Sequence, residues 1–147
     1  MNKVKAIEKL TNWYFAPKSF EKDGKLYEAL GVEKFKKLVL MTAGQLVKLV
    51  FKENLGPYFI GSYKEINEKT IKKHELWARF NELIHITLNI PLLHGLVENL
   101  GNDNYSSAIE CIIALLINNY CVMLQRYNRV RIFNILEKKS SNTKIIS

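Results

Sequence analysis

Gln125-Arg126-Tyr127-Asn128-Arg129-Val130-Arg131 ends an apolar run, residues 108–124 (AIECIIALLINNYCVML), that holds no lysine or arginine. A second apolar run, residues 83–100 (LIHITLNIPLLHGLVENL), precedes it, and only Gly101-Asn102-Asp103-Asn104-Tyr105-Ser106-Ser107 lies between. That connection is rich in turn formers. As helices the two runs rise about 25–27 Å each, just adequate for a hydrocarbon core. This pattern predicts an all-α fold centred on a membrane helical hairpin, with two antiparallel helices at about 83–100 and 108–124. The chain then divides into an amino-terminal cytoplasmic or interfacial helical region (1–82), the hairpin ending in the arginine-rich stretch (83–136), and a flexible tail (137–147). Periodicity alone equally admits a buried hairpin in a soluble protein.

Charge bears on that choice. The chain of 147 residues carries a net +8. Such an excess suits a polyanionic partner: nucleic acid, an anionic lipid surface or a phosphorylated substrate. Residues 1–82 hold 16 basic against 10 acidic side chains, and residues 125–147 hold 6 against Glu137 alone. Between them, residues 83–124 hold only Glu98, Asp103 and Glu110. Basic flanks around an uncharged-to-acidic centre are what a hairpin with both ends in the cytoplasm shows under the positive-inside rule. A nucleic-acid binder has no reason for this exclusion, and its basic residues would gather on one helix face among aromatics. The expected location is therefore the cell membrane with both termini cytoplasmic, and no nucleic-acid partner is expected. Cys111 and Cys121 lie about 15 Å apart along one helix, too far for a disulfide, and no Cys/His spacing suggests a metal.

Before the hairpin, Val4, Ile7, Leu10 and Trp13 fall at helical spacing, so residues 3–15 read as a short amphipathic helix. Its Trp13-Tyr14-Phe15 end suits a lipid interface, although a surface helix of a soluble domain has the same pattern. Asp23-Gly24 signals a turn and Gly31 the end of a short helix. A basic helix start follows at Glu33-Lys34-Phe35-Lys36-Lys37. The stretch Leu38–Phe51, with Gln45 and Lys48, is too short to span and reads as an interfacial or core helix. Gly56-Pro57 and Gly61-Ser62 mark a loop, and Ser62 with Glu65 forms a capping box for a helix from about Tyr63 toward Glu82. Pro91 is expected to kink the first hairpin helix.

Several polar residues interrupt the apolar runs. Glu82, His85 and Asn89 share one helix face, His94 pairs with Glu98, and Asn118, Cys121 and Gln125 form a stripe on the second helix. Ionisable groups at such positions mark functional sites or pair with a partner helix. The plainer reading, preferred for Asn118 and Asn119, is that these stripes hydrogen-bond the helices together. Counted outward from the loop centre, His85 falls opposite Met123. The hairpin is thus expected to bring Glu82 and His85 level with the arginines. A base, an acidic orienter and an anion-binding cluster at one depth suit acyl transfer from a soluble thioester to a lipid hydroxyl.

Three blocks resemble the glycosyl-4,4'-diaponeurosporenoate acyltransferases, small bacterial membrane enzymes of carotenoid biosynthesis. The first is Gln125-Arg126-Tyr127-Asn128-Arg129 followed by Arg131. The second is Glu82-Leu83-Ile84-His85 with Pro91 beyond it. The third runs from Lys18-Ser19-Phe20 through Glu21-Lys22, Gly24-Lys25 and Gly31-Val32 to Lys34-Phe35-Lys36. Val130 stands where the family has proline, and the family's further amino-terminal apolar segment has no counterpart in these residues. The resemblance implies acylation of a sugar hydroxyl on a glycosylated carotenoid by a fatty acyl donor. On this reading His85 takes the hydroxyl proton and Glu82 orients the imidazole. Arg126, Arg129 and Arg131 bind phosphates of an acyl-coenzyme A or of lipid, since guanidinium forks suit phosphate. Gln125 and Asn128 serve polar groups near the oxyanion. No cofactor or metal is expected beyond the acyl donor as substrate, the partners are membrane lipid and glycolipid, and the oligomeric state is open. The sequence has no GxSxG elbow and no HxxxxD acyltransferase box. The alternative is a non-catalytic membrane protein whose basic segment anchors it on anionic lipid.

Overall fold

A computed structural model describes residues 2–51 and 68–146. These form five helices and no strand: α1 (Asn2–Phe15), α2 (Lys25–Ala29), α3 (Val32–Phe51), α4 (Glu68–Gly101) and α5 (Tyr105–Ile146). The proposed Ser62/Glu65 capping box lies outside the described residues. The two apolar runs are the distal halves of α4 and α5, which pack antiparallel: Ile71 lies against Ile132, Glu82 meets Arg129, His85 meets Asn118, and Asn99 reaches Cys111. The connection is tighter than the sequence suggests. It comprises only Asn102–Asn104, with Asp103 in the left-handed region at φ 56°. The Asn104 side chain accepts the Ser107 N–H at 3.4 Å and so caps α5. Pro91 lies inside α4, which remains one helix through it. The expected flexible tail is also helical, and α5 runs to Ile146. No glycine or proline follows Pro91 and Gly101 to stop it.

The distal parts of α4 and α5 touch each other and little else. Leu93, Val97, Ile113 and Leu116 are each at least half exposed. Among the described residues one helix, α5 over Tyr105–Lys138, is long and apolar enough to cross a membrane, with 17% of its most apolar stretch buried inside the protein. A core helix of a soluble protein of this size would be mostly covered. The matching run of α4 falls short of that composition because His85, Asn89, His94 and Glu98 dilute it. His94 and Glu98 pair at 3.8 Å on the exposed face.

The densest packing lies at the other end. From Leu124 to Ile132, α5 is buried or half-buried at every position, although this stretch holds three arginines. Tyr27 of α2, Val32 of α3, and Leu124, Tyr127 and Val130 of α5 form one cluster, with Phe35, Tyr120 and Met123 against it. Val130, in place of the family's proline, is 2% exposed and keeps α5 continuous with its backbone N–H available. Gly24 starts α2 with φ 74°, and a Cβ there would sit 3.2 Å from the Tyr127 ring. Gly24→Ala is therefore expected to destabilise the fold by about 1–2 kcal/mol, from left-handed backbone strain plus crowding. Chemical denaturation in detergent micelles would measure it. Gly31, at φ 75° with open space around it, is expected to tolerate alanine better.

Candidate functional site

The arginine-rich stretch is surrounded because each early element supplies a partner to it. The loop between α1 and α2 turns Glu21 inward, where its carboxylate accepts the Lys18 N–H at 2.8 Å and the Tyr27 hydroxyl. Arg126 grips the same carboxylate with two nitrogens, at 2.8 and 3.2 Å. It also reaches Glu82 at 3.4 Å. Arg129 donates to the other Glu82 oxygen at 2.5 Å and to the Phe15 carbonyl at the end of α1. Tyr14 donates to Glu82 at 3.0 Å. The Phe15 ring lies under the Arg79 and Arg129 guanidiniums, at 5.1 and 4.8 Å. Two carboxylates and two guanidiniums thus balance in a buried network, with Glu21 2% and Glu82 0% exposed.

Such a network is stable only if fully paired, since an isolated buried charge is costly. Burial alone would raise the Glu21 pKa, but the bonds from Arg126, Tyr27 and the Lys18 amide outweigh it and hold the carboxyl below its ordinary 4.5. A depressed carboxyl contributes stability that is present above the unfolded pKa and lost as pH falls through the folded one. Stability should accordingly hold from neutrality to about pH 4.5 and fall below it. In Glu21→Gln that acid-side slope should flatten, read from denaturation midpoints across pH. Tyr14 and Tyr27 are pushed the other way, by burial and by the carboxylates they serve, so both remain proton donors.

Glu82 therefore meets the arginines, as the hairpin geometry predicts. It does not orient His85: its oxygens are taken by Tyr14, Arg126 and Arg129. One turn farther along α4, the His85 Nδ1 lies 2.7 Å from Asn118 Oδ1. The Asn118 amide nitrogen donates to the His85 carbonyl at 2.7 Å and to Asn89 at 2.8 Å. Those two bonds fix which end of the amide is oxygen. His85 then donates from Nδ1, and the neutral form of this ring is the tautomer whose Nε2 lone pair is open. Asn118, read from sequence as a helix-to-helix tie, is such a tie and is also the partner that fixes the imidazole. Asn89 donates onward to Asn119 at 3.3 Å.

The expected convergence of His85 with all three arginines is not formed. Asn118 lies thirteen residues from Arg131 along α5, about 20 Å of helix rise. Arg126 and Arg129 are engaged by carboxylates. Arg131 has no acidic partner among the described residues, and its guanidinium lies 5.6 Å over the Tyr127 ring. Across from it on α3, Lys36 is half-buried, and burial together with the Arg131 charge lowers its pKa. Gln125 and Asn128 are 6% and 5% exposed, and Asn128 Oδ1 and the Arg129 Nε have no hydrogen-bond partner among the described residues.

Glu21 and Tyr14 were given no role by the sequence reading. Charge balance was the available signal. Two arginines within an apolar helix end require two carboxylates, the hairpin supplies only Glu82 nearby, and Glu21 is the acid of the amino-terminal matched block.

The sequence model of the glycosyl-4,4'-diaponeurosporenoate acyltransferase family matches residues 11–138. The chain belongs to this family. No curated protein and no solved structure is detectably similar to it. The matched span begins within α1 and ends in α5 beyond Arg131. It thus contains every member of the charge network as well as His85 and Asn118. Family membership makes the chain an acyltransferase-type protein associated with carotenoid glycolipid.

Proposed function

We propose that this chain transfers a fatty acyl group from a soluble thioester, an acyl-coenzyme A or a similar donor, to a sugar hydroxyl of a glycosylated lipid at the cytoplasmic face of the cell membrane. The carotenoid-type glycolipid for which the family is named is the acceptor class. The observation that carries this reading is the His85 imidazole, anchored at Nδ1 by Asn118 with Nε2 free. In the proposed step Nε2 takes the hydroxyl proton while the oxygen attacks the thioester carbonyl. The carbon–sulfur bond then breaks, and the thiolate leaves with the proton returned by the imidazolium. Glu82 holds Arg126 and Arg129 rather than the base.

The donor's phosphates are assigned to Arg131 with Lys36, which make no ion pair with a carboxylate among the described residues. A flexible pantetheine-type arm suits the gap between these cations and His85. Gln125 and Asn128, buried on α5 between Asn118 and Arg131, take no part in the proposed step. The exposed apolar sides of α4 and α5 would face lipid as a hairpin, with both termini cytoplasmic. In the alternative, a non-catalytic protein anchored by its basic segment, the arginines would have to face headgroups. Arg126 and Arg129 are turned inward, which favours the enzyme.

The test is incubation of the purified protein in mixed micelles with labelled acyl-coenzyme A and a glycosylated carotenoid. A labelled acyl ester on the sugar supports the reading. Absence of transfer from coenzyme A and carrier-protein thioesters alike would refute it.

A further inference from the structure

The amino-terminal helix is related to the rest of the molecule unusually. Residues 5–13 of α1 are all exposed, and only Tyr14 and Phe15 at its end engage the body of the protein. An isolated helix of this length is marginal in water, so packing on one face normally sustains it. Its apolar stripe is bare instead: Ile7, Leu10 and Trp13 are 66%, 64% and 65% exposed. At 100° per residue Lys9 falls beside Trp13 and Lys5 lies farther round on the polar face opposite that stripe, and Lys18 sits 3.9 Å over the Trp13 ring while donating to the Trp13 carbonyl at 2.6 Å.

The height at which α1 is tethered identifies what covers it. Tyr14 is bonded to Glu82, the residue directly before Leu83, where the exposed apolar surface of α4 begins. Trp13 is thus held at the boundary between the charged network and the apolar hairpin, the level at which tryptophan and lysine sit in interfacial belts. We infer that α1 is an in-plane anchor that lies on an anionic lipid surface, with Ile7, Leu10 and Trp13 in the upper acyl region and Lys5, Lys9 and Lys18 among the headgroups. The combination of a bare apolar stripe with lysines on the polar face matches helices that bind membranes in this manner. The anchor rests on the reading of α4 and α5 as a membrane hairpin but not on acyl transfer, so loss of transfer alone leaves it standing. It also ends on the tyrosine and the carbonyl that serve Glu82 and Arg129, so the lipid surface bears directly on the charge network.

The experiment uses the full chain reconstituted in anionic vesicles, with Trp77→Phe leaving Trp13 as the single tryptophan. Should that variant misfold, the Trp13 signal is taken as the difference between the unchanged chain and Trp13→Phe. Lipid brominated near the headgroup should quench about half or more of the Trp13 emission, as for a ring at the acyl boundary. Aqueous iodide should quench little, and Lys5→Glu with Lys9→Glu should abolish the preference for anionic over zwitterionic vesicles. Strong iodide quenching without bromine quenching would overturn the inference. Shielding from both quenchers that disappears when protein is diluted in lipid would overturn it as well, in favour of a second copy of the chain covering the stripe.

Discussion

Removing either Glu82 or Arg129 alone should cost about 3–5 kcal/mol of stability, the range for breaking a buried ion pair. Removing both should cost less than twice that. The geometry explains why the two are not additive. Glu82 is wholly buried and accepts from Tyr14, Arg126 and Arg129. In Glu82→Leu, Arg129 retains only the Phe15 carbonyl for a charge that is 4% exposed. In Arg129→Leu, the carboxylate keeps Arg126 at 3.4 Å, but Arg126 is already gripped by Glu21 at 2.8 Å. The double variant deletes one charge of each sign and leaves the Glu21–Arg126 pair balanced. It should therefore recover part of the summed loss, giving a coupling of about 1–3 kcal/mol in a double-mutant cycle. Sodium dodecyl sulfate titration in mixed micelles, followed by far-ultraviolet circular dichroism, would provide the three differences. Strict additivity would mean that the pair is not formed. The same logic separates these residues from phosphate binding. Arg131→Ala should leave the unfolding midpoint nearly unchanged, since its guanidinium makes no ion pair among the described residues.

The two long helices were legible because apolar runs and a turn-rich break report on local geometry. Their antiparallel contact, and the meeting of Glu82 with the arginines, followed from counting residues outward from the loop. What sequence could not show was where the core lies. A helical stretch with arginines at 126, 129 and 131 reads as a solvated end, because periodicity treats every charge as exposed. Here charges on three segments cancel one another, and α5 is buried or half-buried at every position between Leu124 and Ile132. The misassigned orienter of His85 has the same origin. A spacing of three on α4 brings Glu82 and His85 to one face, but it cannot reveal that a guanidinium from α5 competes for the carboxylate. Asn118, thirty-three residues from His85, wins the imidazole because the hairpin register sets its amide opposite it. The continuation of α5 to Ile146 was missed because polar composition suggests a flexible end, while the absence of glycine and proline permits the helix to propagate.

His85→Ala should reduce acyl transfer by about 10²–10⁴-fold, the usual contribution of a positioned general base. The fold should survive, because His85 is only half-buried and the charge network one turn away does not use it. Imidazole added to the medium should restore part of the rate in this variant, which a purely structural loss would not allow. Asn118→Leu is the sharper comparison. It leaves the imidazole in place but removes both the acceptor at 2.7 Å and the bond to the His85 carbonyl that hold its orientation. Transfer should fall through kcat while the KM for the acyl donor stays near its original value, since the donor's phosphates are assigned to Arg131 and Lys36. Arg131→Ala should show the converse, a raised donor KM with a smaller change in kcat. These outcomes are coupled by geometry: His85 lies within the hairpin and Arg131 with Lys36 at the end that carries the charge network. If His85→Ala turns over at the unaltered rate, the proton must go elsewhere, and the bonded Tyr14–Glu82 pair, one turn from His85, is the next candidate. Tyr14→Phe would then be the variant that loses transfer, with the Glu82–Arg129 pair still intact to hold the fold.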